Sequence, residues 1–261
     1  MLLGFHGSME AFFSTWLITM MRTSALMAVM PAFSMAGVPA KLRVALGALC
    51  ALFITSGLPA MDLKSWSLVH LIMLMGSEFM VGLLLGFVSK MFFYTLDVAG
   101  SLIAMSIGIM MPSDINPYQM GQSSIPTAIL YQLAIMILFT TDMHHWLFVG
   151  IAKSYEVLPV GQANYGGHIV EDMIRMTADI FPVGIMIAGP ILTVSFVLLL
   201  LFSILGRAVP QMNVFSESFS VRILAGMMVL GLTCKLMAEH IAQLVREMPY
   251  EMLETAKGLI G

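Results

Sequence analysis

The chain is 261 residues long, 59% hydrophobic and 10% charged, with a formal net charge of −3 at pH 7. A soluble domain carries about 25% charged residues, so this composition points to a membrane or membrane-derived protein. The small net charge and the lack of a long basic run interleaved with aromatics leave no case for nucleic acid binding.

In chain order, the N-terminal "MLLGFHGSMEAFF" lacks a basic n-region and an A-x-A site, so it reads as part of the mature protein rather than a cleaved signal. Six apolar regions follow, at about 10–30, 42–58, 66–111, 127–150, 174–205 and 221–238. About 20 residues of helix cross a bilayer, and no strand-like alternation is visible, so an all-α fold is expected. Breaks fall at Pro31 to Pro39, Pro59, Pro112 to Pro126, Pro159 to Gly167 and Arg207 to Ser220. Arg22 lies deep in the first region, and Glu78, Lys90 and Asp97 interrupt the third. A charge at a bilayer centre costs about 2.5–3.5 kcal/mol on the lenient insertion scale, so these side chains should face protein or water. Lys41, Arg43, Lys153, Arg207, Lys235 and Arg246 are spread over loops on both expected sides and fix no orientation.

Taken as a helix, 78–111 places Lys90 and Asp97 on nearly one face, two turns apart. That is too far for a good direct bond, so each should seek a partner on another helix. Gly100, Ala104 and Gly108 form a stripe of small residues at every fourth position, as Gly82 and Gly86 do earlier. Such stripes let helix backbones approach closely, within the chain or between subunits. The region then breaks in "IGIMMPSDINPYQMGQSS", where Pro112 and Pro117 should stop helix. Met110, Met111 and Met120 edge this break. Most of the other methionines are expected to be ordinary core residues.

Further on, "TTDMHHW" gathers Asp142, His144 and His145. Adjacent helical histidines point about 100° apart, so the stretch reads as a helix-end turn with Asp142 near an N-cap rather than a metal site. Glu171 and Asp172 should open the fifth helix at the positive end of its dipole. In "PQMNVF", Gln211 and Asn213 are placed to cap backbone groups freed by Pro210, or to form a contact between subunits. Cys50 and Cys234 have no metal-type spacing and read as small apolar residues. P-loop, GxSxG and HExxH motifs are missing. The expectation is a non-enzyme without cofactor or metal.

Several of these stretches, in this order, resemble the FliR family of bacterial flagellar export-gate proteins. They are "VPAKLRVALGALCALFI" near the start, "GFVSKMFFYTLDVAGSLIAMSIGIMM" with the Pro-containing loop after it, "DMHHWLFVGIAKSYEVLPVG", and "AVPQMNVFS" at 208–216. Together they cover roughly 38–235. Two departures stand out. Ile115-Asn116-Pro117 replaces the family's Phe-Asp-Pro, and "SESFS", Ser216 to Ser220, replaces a Gly-x-Pro-like turn.

The resemblance implies a helical, membrane-associated export-gate subunit built of bent hairpins. A FliP-like part would span 1–170 and a FliQ-like hairpin 171–261. About one copy would complete a hetero-oligomer with FliP-like and FliQ-like subunits, next to an FlhB-like protein. It would sit in the bacterial inner membrane at the flagellar basal body, much of it above the lipid plane, and pass unfolded export substrates. Arg22, Glu78, Lys90 and Asp97 would then be buried or paired across subunits. The central loop, about 108–122, would plug the closed pore through Gly108, Met110, Met111, Pro112, Asn116, Pro117 and Met120. Pro210, Gln211, Asn213 and Phe215 would form the family's loop motif. Two other readings are a homologous subunit of a virulence type III secretion system and a small-molecule secondary transporter. The transporter is disfavoured because no paired inverted repeat is visible.

Overall fold

In the computed structural model seven helices follow one another among the described residues: α1 (Met9–Val29), α2 (Ala40–Thr55), α3 (Leu68–Ile107), α4 (Ile125–Thr140), α5 (Met143–Val157), α6 (Gly167–Ala208) and α7 (Val214–Gly258). The structure describes residues 9–31, 33, 38–59, 61, 66–109, 124–209, 211 and 213–260, with the side chains of His168 and Phe215 outside that description. No strand occurs among the described residues, so the all-α expectation holds. α1, α3, α6 and α7 each contain a stretch long and apolar enough to cross a membrane, and α4 with α5, bent by 76°, supplies another if taken as one span. This is an all-α membrane protein.

The apolar regions map onto the helices with three differences. Residues 127–150 are not one segment, because the chain turns at Thr141 and Asp142 between α4 and α5. α6 begins at Gly167, so Glu171 and Asp172 stand in its second turn rather than at its opening. α7 runs on through polar residues to Gly258, well past the apolar stretch at 221–238. At 1.5 Å per residue, α3, α6 and α7 are each about 60–70 Å long, roughly twice a 30 Å hydrocarbon core.

The chain forms two compact units, one from Met1–Met91, Asp142–Met176 and Arg246–Gly261, the other from Phe92–Thr141 and Thr177–Val245. The division expected at 170/171 falls inside α6, one turn from its start.

In the first unit α1 is central, and Ile18, Leu26, Met27 and Met30 are buried. α2 approaches it at Gly47, where a Cβ would meet the Ser24 backbone. The indole N–H of Trp16 donates to Ala48 O at 3.0 Å, and Thr23 Oγ1 donates to Gly47 O at 3.0 Å. The early part of α3 approaches on another side at Gly82, where a Cβ would collide with the Arg22 carbonyl.

In the second unit the later part of α3 is the spine, burying Leu96, Ala99, Ile103, Ala104 and Ile107. Gly100 lies against the Thr127 backbone of α4, and Ile107 against Gly226 of α7. Val98 and the Thr95 carbonyl face Gly184 of α6. Small residues therefore set the helix spacing on three sides of one helix.

Local sequence explains the helix ends. α3 stops at Ile107, five residues before Pro112, so Pro112 is not what ends it. Gly108 has φ +84°, donates to Met105 O at 3.3 Å, and Ile109 N donates to Ala104 O at 3.0 Å. This is a Schellman cap, which needs a residue tolerant of the left-handed region. α4 is N-capped by Ser124, whose Oγ accepts from Thr127 N at 3.4 Å. Methionine is not confined to the core: Met27, Met30, Met248 and Met252 are buried, whereas Met73, Met105, Met136 and Met228 are exposed.

Candidate functional site

The most completely built polar site lies in the first unit. Arg22 projects from the middle of α1, where threonines and apolar residues leave it no partner on its own helix. Its Nε donates to Glu78 Oε2 of α3 at 2.7 Å and its Nη2 to Oε1 at 3.1 Å, with both side chains fully buried. This two-point fit of guanidinium to carboxylate is the strong form of the ion pair. Nη1 turns to the end of α5 and donates to Ser154 O at 3.2 Å and Leu158 O at 3.0 Å. These last-turn carbonyls lie at the negative end of the helix dipole, where a cation is stabilised.

Two further groups close the site. The Arg22 guanidinium carbon stands 4.1 Å from the centre of the Tyr155 ring, and the Tyr155 hydroxyl donates to Thr19 O of α1 at 3.0 Å. Gly161 N donates to Glu78 Oε1 at 2.9 Å. Gly161 has φ +77° and leaves room for Leu74, whose Cδ1 would lie 2.7 Å from a Cβ there. Burying two charges costs several kcal/mol per ion unless good geometry and added hydrogen bonds compensate, and both are present here. The cluster ties α1, α3, α5 and the segment after α5 together. Its chemistry is that of a structural clamp, since both charges are satisfied and sealed from solvent.

Arg22 and Glu78, expected to be buried or paired across subunits, are buried and pair with each other within the chain. Lys90 and Asp97 are half-buried, and Asp97 is within electrostatic reach of Tyr131 on α4. Ser154 and Tyr155 as partners of Arg22, and Gly161 as a partner of Glu78, went unmarked in the sequence. The available signal was the helix-end pattern "SYEVLPVG", where carbonyls without helical partners and a glycine turn gather.

The stripe and the loop can be followed to the loop's edges. Gly100 and Ala104 sit in the α3 seam, while Gly108 is the helix cap and lies against the Phe219 ring of α7. On the return side, Ser124 Oγ donates to Gly100 O at 3.4 Å and shares a 2.8 Å hydrogen bond with Thr127 Oγ1. Met110, Met111, Pro112, Asn116, Pro117 and Met120 lie outside the described residues, as does Pro210. Gln211 is exposed. Asn213 caps α7: its Oδ1 accepts from Ser216 N at 3.4 Å and its carbonyl from Glu217 N at 3.2 Å. Phe215 belongs to the first turn of α7.

The stretch around Asp142 is the expected helix-end turn between α4 and α5, but its side chains are arranged differently from expectation. Asp142 occupies the N-cap position with φ 55° and makes no side-chain cap. Its Oδ1 lies 3.8 Å from His145 Nδ1, and the His144 and His145 rings are 4.1 Å apart. Ligand-type atoms of the three residues fall within 4.8 Å of one another. The adjacent histidines thus do not diverge as regular mid-helix geometry implies, because they stand in the first turn beside a left-handed residue.

Comparison with known proteins places these features in a family. Residues 13–248 match the model described as bacterial export proteins, family 1. The chain is 27% identical over 223 residues to the flagellar biosynthetic protein FliR of Pectobacterium carotovorum subsp. carotovorum, covering 84% of this chain and 85% of the relative. It is 26% identical over 255 residues to FliR of Bacillus subtilis strain 168, covering 95% and 96%. The FliR protein of Escherichia coli K12 is 25% identical over 228 residues, with 87% of each chain covered. A match spanning most of an all-α membrane chain, over the same blocks that carried the resemblance, leads to one conclusion: the chain belongs to the FliR family, family 1 of the bacterial export proteins.

Proposed function

We propose that the protein is a non-enzymatic subunit of the flagellar type III export gate. With FliP-like and FliQ-like subunits, and next to an FlhB-like protein, it forms the channel through which unfolded flagellar subunits leave the cell. The observation that carries this reading is the family match over residues 13–248, joined to relatives named as flagellar biosynthetic proteins along nearly their whole length. Those names also favour the flagellar over the virulence branch.

Physical features support the reading. Phe196, Leu200 and Ile204 of α6, and Leu224, Met228 and Leu232 of α7, are exposed in the isolated chain. On α7 the three recur every fourth residue and form one apolar stripe, a face suited to lipid or to a neighbouring helix. Helices of about 60–70 Å exceed a bilayer core, which supports placing much of the subunit outside the hydrocarbon layer, at the basal body in the inner membrane. The division into a FliP-like part, 1–170, and a FliQ-like hairpin, 171–261, belongs to this proposal. In it, the loop at 108–122 closes the resting pore, with Met110, Met111 and Met120 as deformable seals.

The decisive experiment is co-purification with FliP-like and FliQ-like partners and mass measurement of the intact complex. A hetero-oligomer with about one copy of this chain is expected, and a stable lone monomer overturns the reading. Deleting Ser113 to Met120 tests the plug. Ion leak through cells carrying the assembled core should rise, and an unchanged leak removes the sealing role.

A further inference from the structure

Within the first unit, α5 and the end of α7 enclose a groove of about 370 Å³ that the clamp does not use. Its wall on α5 includes Trp146, Gly150 and Lys153, and its wall on α7 includes Arg246, Pro249 and Tyr250. The helices meet where Gly150 faces Pro249, whose Cβ would stand 3.7 Å from a Cβ on the glycine. Trp146, Gly150 and Lys153 lie three or four residues apart on α5, and Arg246 and Leu253 each lie three or four residues from the Pro249–Tyr250 pair on α7, so each wall is a stripe along its helix.

The chemistry of the lining is selective. Among the described residues Lys153 and Arg246 are its charged members, no acid lines it, and neither cation makes a hydrogen bond or ion pair. Trp146 and Tyr250 remain 54% and 68% exposed despite their size. Met143, Val149 and Leu253 complete an apolar wall. Tryptophan and tyrosine concentrate where a membrane meets water. Lysine and arginine lay their apolar stems along such a wall and extend the charged ends toward phosphate.

We propose that this groove binds an anionic phospholipid, with the phosphate between Lys153 and Arg246 and the upper acyl chain against the apolar wall. The volume lies in the range of small-molecule sites, about 300–1,000 Å³, which suits a headgroup and part of a chain better than an acidic helix. The proposal rests on the groove and on the membrane nature of the chain, and it stands or falls separately from the export-gate reading.

The test uses the full chain, with whatever subunits co-purify, in nanodiscs of phosphatidylglycerol or of phosphatidylcholine, and native mass spectrometry to count retained lipids. In phosphatidylglycerol the wild type should keep one more lipid per chain than the Lys153→Gln/Arg246→Gln variant, with affinity lowered about fivefold per neutralised cation. In phosphatidylcholine the two should not differ. The Lys153→Arg/Arg246→Lys variant, which keeps both charges, should restore retention, and circular dichroism should show the same helicity for all three proteins. Equal retention by wild type and the neutral variant overturns the proposal. So does displacement of the extra lipid by millimolar glycerol phosphate, which would mark a site for soluble phosphate. Loss of a protein subunit from the neutral variant at unchanged lipid count also overturns it, by assigning the groove to an acidic partner segment.

Discussion

Glu78 accepts three hydrogen bonds at the centre of the first unit, two from Arg22 and one from Gly161 N. Removing it strands a buried guanidinium, so Glu78→Ala should cost about 3–5 kcal/mol. In a chain of this size that corresponds to a fall of roughly 6–20 °C in Tm, measured by thermal unfolding in detergent. The double variant Arg22→Met/Glu78→Leu removes both charges and should lie much closer to wild type, because an apolar pair of similar volume commonly replaces a buried ion pair at little loss. If the double variant is as unstable as the single one, the clamp is not a simple ion pair. At this scale the sequence was half legible. A charge deep in each of two apolar segments announced the need for a partner. That the partners were each other, 56 residues apart, could not be read, because no local spacing relates separate helices.

Helix boundaries followed local chemistry wherever a residue carries its own geometric requirement. Gly108 and Asn213 are the two clearest cases, and they bracket much of the second unit. Gly108→Val places a branched side chain at φ +84° and against Phe219. The left-handed backbone alone should cost about 1–2 kcal/mol, and faster amide exchange at Gly108 and Ile109 is the expected readout. Asn213→Ala removes a cap and should cost about 1 kcal/mol, with faster exchange at Ser216 and unchanged exchange in the middle of α7. The prolines at 112 and 117 suggested a later end to α3. The glycine won because a Schellman cap satisfies the final carbonyls at once, whereas a proline only forbids continuation. The split between α4 and α5 was hidden for a related reason: Thr141 and Asp142 are not strong helix breakers, and the left-handed turn is seen only in the backbone.

For the whole molecule, the class was legible from composition and the arrangement was not. Alternation and period identify helices, but the close approaches at Gly47, Gly82, Gly100 and Gly226 depend on which helices meet. The exposed surface of α7 gives a test at this scale. Cys234 is exposed on α7, about 200° round the helix from Leu232 and Leu236, so it reports on the side of α7 opposite them. Maleimide should label it readily in the detergent-solubilised chain alone, and more slowly once the FliP-like and FliQ-like partners are bound. Equal labelling in both preparations would leave that face outside the assembly.

The position of Arg22 has a consequence for biosynthesis. Its carboxylate partner is made 56 residues later and its carbonyl partners 132 and 136 residues later. At ribosomal speed the last of these emerges on the order of ten seconds after the arginine. During that interval the first helix carries an unmet charge into or alongside the membrane. It cannot settle in its final place until the turn after α5 has been synthesised. α1 is therefore made before all its partners and completed only after them, so a nascent chain arrested before Leu158 should be a substrate for membrane quality control.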